Sequence, residues 1–176
     1  MLVGFKAQNH VQQVVDRGAS DEVDDRATQP IYFDAWNERF GGFTLDVAAA
    51  AHNTKCERYF TKADDGLSQS WAGERAWCNP PYSHLEPWLM KAWTEYPTTR
   101  GIVMLLPGNR TEQKFWQKHV EPFRDRSGSP LTTEFLPGRM RFIRRDRDAV
   151  GPNERPPFGV VLLIWDDPMG LMGDEI

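Results

Sequence analysis

The chain has 176 residues, enough for one hydrophobic core and too few for two ordinary domains, and its 40% hydrophobic and 26% charged residues exclude wholesale disorder. A formal net charge of -4 argues against a polyanion gripped by the whole surface, yet Arg139, Arg141, Arg144, Arg145 and Arg147 crowd one short segment, and a local basic stripe suffices for phosphate contact. No apolar run reaches the ~18 residues of a membrane-spanning helix, and Met1 to Lys6 lack a secretory hydrophobic region, so a cytoplasmic protein with no membrane partner is expected.

Residues 1–27 mix small, polar and acidic types without a sustained period and read as a flexible leader. A single domain is expected over 28–166, with 167–176, which carries Pro168, Gly170 and Gly173, as a frayed tail. Thr28-Gln29-Pro30 caps and opens a helix through Phe33, Trp36, Asn37 and Phe40, closed by Gly41-Gly42. Phe43 to Val47 is rich in strand formers and leaves Asp46 near the strand's C-terminal end, a ligand-binding position in α/β folds. Arg58-Tyr59-Phe60 suits a second short strand, and Thr61 to Ser70 reads as a loop through Asp64-Asp65-Gly66.

Arg75 to Cys78 then leads into Asn79-Pro80-Pro81-Tyr82, where consecutive prolines forbid continued strand pairing or helix and impose a rigid turn. Ser83 with Glu86 has capping-box form, and Leu85, Trp88, Leu89, Ala92, Trp93 and Tyr96 share one helical face up to Pro97. Gly101 to Pro107 is a continuous apolar run, the signature of a strand covered on both faces at the sheet centre. A helix over about 112–119 follows, then strands around Phe135 and over 140–143 separated by Pro137-Gly138, and a last apolar strand over 160–165. The alternation predicts an α/β domain with a mostly parallel central sheet and an antiparallel edge, without internal repeats.

Cys56 and Cys78 form no C-x-x-C pair, and with His52 and His84 they match no familiar zinc spacing, so reduced thiols and no metal are expected. The chemistry concentrates at the proline turn. An exocyclic amine on an aromatic base is a poor nucleophile because its lone pair is delocalised into the ring. The Asn79 side-chain carbonyl and the Pro80 backbone carbonyl can each accept one of its N–H groups and favour a pyramidal nitrogen. Pro81 holds the turn, and Tyr82 offers a flat face for a purine; a strand-ending turn with Tyr82 in the core is the competing reading.

Asn79-Pro80-Pro81-Tyr82 resembles the (D/N/S)-P-P-(Y/F/W) motif of amino methyltransferases. With Phe43 to Ala49, Asn53, Lys55-Cys56, Tyr59-Phe60, Asp65-Gly66-Leu67, Trp71, Trp77 to Ser83, Leu105-Leu106-Pro107, Gly138 to Phe142 and Pro157-Phe158, the chain resembles the phage-type DNA N6-adenine methyltransferase (Dam) family over about 28–165. The resemblance implies a Rossmann-like fold with helices on both faces of the sheet, S-adenosylmethionine as cofactor, and double-stranded DNA as partner, with adenine rotated out of the stack. It makes Asn79, Pro80, Pro81 and Tyr82 the catalytic set and Asp46, Ala48, Asp65, Thr28 and Pro30 the cofactor contacts, with a strand-end Asp46 capping the next turn and an Asx-turn at Asp65-Gly66 as the plain alternatives. Ala48-Ala49 stand where many methyltransferases carry a glycine-rich loop. Arg26-Ala27-Thr28-Gln29-Pro30 stands where the family usually reads Trp-Ala-Thr-Pro-Gln.

DNA contacts are expected from Arg110, Arg139, Arg141, Arg144 and Arg145, with Arg139 and Arg141 on one face if their segment is a strand; a charged, solvated edge and an ordinary helix start are the plain alternatives. Another planar nitrogen as acceptor, or a catalytically silent DNA-binding protein, would carry the same fold.

Overall fold

A computed structural model describes residues 27–144, 148–151 and 158–167. The expected leader, apart from Ala27, and the expected tail beyond Asp167 lie outside the described residues, as do Arg145 and Arg147.

The first element, β1 (Ala27–Thr28), leads directly into α1 (Pro30–Arg39). Thr28 is not the helix cap. Gln29 takes that position in the extended conformation (φ -64°, ψ 141°) expected of a residue before proline, and makes no side-chain cap; its amide donates to the Arg141 carbonyl instead. Gly41 and Gly42 close the helix at φ +76° and +90°, and the Gly42 N–H returns to the Asn37 carbonyl at 2.7 Å.

The central sheet has six strands in the order β3-β2-β4-β5-β8-β6. Here β2 is Leu45–Asp46, β3 Arg58–Tyr59, β4 Ala76–Cys78, β5 Ile102–Pro107, β6 Leu131–Phe135 and β8 Val160–Trp165. From β3 through β5 the pairing is parallel, while β8 runs antiparallel to both β5 and β6. The continuous apolar runs of β5 and β8 are buried along their whole length, side by side, which is why neither shows strand alternation. The antiparallel edge is β6, half-exposed and tied to α1 by the Arg39–Glu134 ion pair at 2.8 Å.

Each face of this sheet carries its own core. Phe33 and Trp36 of α1 pack with Phe43 and Trp77 as an aromatic cluster over Val103, Leu105, Leu162 and Ile164. On the other face, α2 (Glu86–Glu95) and α3 (Lys114–His119) bury Trp88, Leu89, Ala92, Phe115 and Trp116 against Ala76, Met104, Leu106 and Leu163. Helices therefore cover both faces, as the family resemblance implies.

The Ser83 capping box does not form: α2 begins at Glu86 with Leu85 before it. With Ser83 as cap, Pro87 would occupy the fourth helical position, where its missing N–H removes the first helical bond and its ring strikes the Ser83 carbonyl; starting at Glu86 moves Pro87 into the tolerant first turn. Glu86 instead meets His119 of α3 at 2.9 Å. The strand expected over 140–143 shortens to β7 (Phe142–Ile143), and its partner is β1, in a separate two-stranded sheet. Arg139 and Arg141 consequently lie outside any strand, although burial of Met140 and Phe142 keeps an alternation along the segment. No described helix is long and apolar enough to cross a membrane.

Candidate active site

The chain passes from β2 outward to β3 and then returns across β2 to form β4, so the sheet's connections diverge between β2 and β4. Such a switch point leaves a crevice beyond the C-terminal strand ends. Asp46 ends β2, and Asn79 directly follows β4. Both line a cavity of about 750 Å³ together with Thr28, Ala48, Asp65, Pro81 and others, a volume within the ~300–1,000 Å³ usual for small-molecule sites.

Asp46 is 3% exposed. Its carboxylate accepts the N–H of Ala48 at 3.3 Å and of Lys55 at 3.0 Å, so the Ala48 contribution is a backbone donor turned onto the acid. Burial nevertheless dominates and pushes the carboxyl up from 3.8 to about 6, with the two N–H bonds and the Lys55 charge opposing it. Asp65, also in the lining, is exposed and adopts φ +52°, an uncommon conformation for a residue other than glycine. Gly66 follows it under close constraint: a Cβ there would stand 2.1 Å from the Val47 carbonyl oxygen. Trp71 fastens the same loop through its indole N–H to the Gly66 carbonyl at 2.9 Å.

Asn79 donates through Nδ2 to the Thr28 hydroxyl at 3.4 Å, and Thr28 is 1% exposed. The small β1–β7 sheet holds Thr28 there by register with Phe142, and the Gln29 amide adds a bond to the Arg141 carbonyl at 2.7 Å. Among the described residues no hydrogen bond reaches the Pro80 carbonyl. Tyr82 does not line the cavity. Its ring is half-buried, meeting Phe142 edge to face (6.2 Å, 88°) and Phe158 at a tilt (6.1 Å, 59°). Its hydroxyl is buried without a partner among the described residues, and burial drives its pKa well above the ordinary tyrosine value. The core reading of Tyr82 thus describes its hydroxyl end.

Of the expected cofactor contacts, Asp46, Ala48, Asp65 and Thr28 come together on one cavity, whereas Pro30 stands exposed at the start of α1, outside the lining. Arg110 is half-buried and donates to the Tyr82 carbonyl. Arg139 and Arg144 are exposed and Arg141 half-buried. Asn53 and Lys55 also line the cavity, and sequence reasoning assigned them no role. Asn53 folds the 50–53 turn by accepting the Ala50 N–H at 2.9 Å, for which its short spacing after an alanine run was the available signal. Cys56 and Cys78 are free thiols, and the described residues include no His, Cys, Asp and Glu cluster suited to a metal.

This topology, with its strand-end crevice, defines a Rossmann-like α/β domain. The chain belongs to the DNA N-6-adenine-methyltransferase (Dam) family, whose model matches residues 18–172. A DNA N-6-adenine-methyltransferase of Haemophilus phage HP1 (strain HP1c1) is 37% identical over 65 residues, 36% of this chain and 38% of that protein. Another, of Escherichia phage T1, is 32% identical over 78 residues, 44% of this chain and 33% of that protein. The matched stretches therefore span well under half the length of these relatives. Among solved structures, a candidate RNA methyltransferase from Pyrococcus horikoshii aligns over 63% of this chain and 50% of that chain at 11% identity and a TM-score of 0.36.

Proposed function

We propose that the chain transfers a methyl group from S-adenosylmethionine to N6 of adenine in double-stranded DNA, in the cytoplasm of the cell that holds that DNA. The observation that carries this reading is the placement of Asn79, at the end of a central strand and bonded to Thr28, on the same cavity as the buried Asp46. Membership of the family and the activity named for the two phage relatives support it.

The cavity fits the cofactor on its own chemistry. The Asp46 carboxylate, buried and answered by two backbone N–H groups and the Lys55 charge, is suited to an ammonium or hydroxyl group, Asp65 can accept from hydroxyls, and Ala49, Phe60 and Trp88 supply apolar walls. S-adenosylmethionine, when bound, supplies a methyl group already activated on a sulfonium. Asp46, Asp65 and the Ala48 backbone would hold it, with Thr28 serving Asn79.

Thr28 commits the Asn79 amide nitrogen and thereby assigns the side-chain carbonyl as the acceptor for an amine N–H. The Pro80 carbonyl is the second acceptor. Two acceptors fixed in advance orient the amine without reorganisation during the reaction. Asn79 removes no proton at neutral pH, so its work is polarisation and aim. Tyr82 receives the base on the exposed part of its half-buried ring, against an unstacking cost of ~a few kcal/mol. Arg139, Arg141, Arg144 and Arg145 neutralise flanking phosphates.

The test is incubation of the protein with tritiated S-adenosylmethionine and unmethylated DNA beside the Asn79→Ala variant, with the labelled nucleoside identified by mass spectrometry. N6-methyladenine from the wild type alone is expected. Label on another base would correct the acceptor, and no label on DNA would overturn the reading.

A further inference from the structure

The two prolines of the Asn79–Tyr82 turn fix its φ angles, and the position of the turn relative to the neighbouring loop depends on contacts from outside it. Pro80 and Pro81 bring no N–H, and the local backbone bond, from the His84 N–H to the Pro81 carbonyl at 3.2 Å, lies toward the far side of the turn from Asn79. The Tyr82 carbonyl turns elsewhere and accepts from the Arg110 guanidinium, 28 residues away in sequence. That residue belongs to the loop between β5 and α3, itself held at several points. The Gly108 N–H donates to the Gly159 carbonyl at 2.8 Å, the Gln113 N–H to the carbonyl of Arg110 at 3.1 Å, and the Gln117 side chain to the Thr111 carbonyl at 2.7 Å. A charged donor on a half-buried carbonyl is among the stronger single hydrogen bonds a loop can make, and the rigid guanidinium fork loses little freedom in making it.

Arg110 also sits one strand from the turn: β4, which ends at Cys78, pairs with β5, which ends at Pro107. Both loops leave the same end of the sheet, so the guanidinium bridges them where Asn79 and Pro80 are placed. We propose that Arg110 is a positioning residue for methyl transfer, acting through the Tyr82 carbonyl to hold the Asn79–Tyr82 turn, and is not a phosphate contact. This replaces the DNA-binding role expected from its sequence position, and it rests on the function proposed above.

The experiment compares wild type, Arg110→Met and Arg110→Gln by steady-state methylation, by DNA affinity as a function of salt, and by the ¹³C carbonyl resonance of Tyr82. The expected result for Arg110→Met is a kcat lowered about 10- to 100-fold, as for a small misplacement of reacting groups. The slope of log Kd for DNA against log salt stays unchanged, and Arg110→Gln, which keeps an uncharged donor, recovers part of the loss. A slope smaller by about one with kcat intact at saturating DNA would make Arg110 a phosphate contact and overturn the proposal. Should Arg110→Met fail to fold, Arg110→Gln decides by the same pair of readings. Should the wild type methylate no DNA, the functional reading fails separately, and the Tyr82 carbonyl resonance still decides: a shift on losing Arg110 upholds the brace, and an unmoved resonance removes it.

Discussion

The side-chain amide of Asn79 donates to the buried hydroxyl of Thr28 at 3.4 Å, which joins β1 to the end of β4 across 51 positions of sequence. If that bond sets the orientation of the Asn79 amide, Thr28→Val lowers kcat for DNA methylation about 10-fold, the scale of a misaimed catalytic group. Thr28→Ser keeps most of the activity. Cofactor affinity, measured by isothermal titration, stays level in both; a selective loss of affinity would return Thr28 to the cofactor.

Asp46 yields a pH prediction whose sign is the reverse of the usual carboxylate case. Its native pKa is raised to about 6 from 3.8, chiefly by burial. Between those values the native state binds more protons than the unfolded state, so the group's contribution is present below the unfolded pKa and declines as pH rises through the native one. Relative to Asp46→Asn, ligand-free wild type is expected to lose on the order of 2–3 kcal/mol between pH 4 and 7 in urea unfolding. Parallel curves for the two proteins would remove burial as the cause. A cationic ligand selects the ionised form, and S-adenosylmethionine affinity should rise with pH through about 6 in wild type only.

Gly66 tests the packing behind the cavity. The methyl of Gly66→Ala would meet the Val47 carbonyl at 2.1 Å, and neither backbone can yield cheaply, with Trp71 fastened to Gly66 and Asp65 already at φ +52°. A destabilisation of about 1–3 kcal/mol or more is expected in urea unfolding. Weakened cofactor binding should accompany it, and wild-type stability would refute the close approach.

Tyr82 separates ring from hydroxyl. The buried hydroxyl lacks a partner among the described residues, so Tyr82→Phe removes an uncompensated polar group and should leave stability equal or raise it by up to about 1–2 kcal/mol, with methylation retained. Tyr82→Ala deletes the ring between Phe142 and Phe158 and should reduce both stability and kcat. A severe loss in Tyr82→Phe would instead give the hydroxyl a role.

Arg139 and Arg144 are exposed, unlike Arg110. Each changed to Ala should weaken DNA binding and lower its salt slope by about one, with no effect on cofactor affinity. Slopes equal to wild type would leave these side chains as solvated surface charge.

Several features were legible because they depend on short stretches of chain. Continuous apolar runs marked β5 as covered on both faces and β8 as a strand, Gly41-Gly42 marked the end of α1, and Asn79-Pro80-Pro81-Tyr82 declared a rigid turn because proline forbids the alternatives. Asp46 was readable at a strand end and Asp65 through the family resemblance, and both line one cavity.

What the tertiary structure decided are choices between partners distant in sequence. A two-residue strand has no period, so nothing local could reveal that Phe142 pairs with Thr28, or that β8 lies between β5 and β6. The capping box at Ser83 was a valid local pattern overruled by Pro87, whose cost depends on where the helix starts. Arg110 resembled a DNA contact by position, and only packing showed a carbonyl within its reach. The sequence by itself determined which groups could do chemistry at the turn. The fold decided which are braced, buried or presented, because a hydrogen bond or a desolvation penalty depends on neighbours that the chain supplies from dozens of residues away.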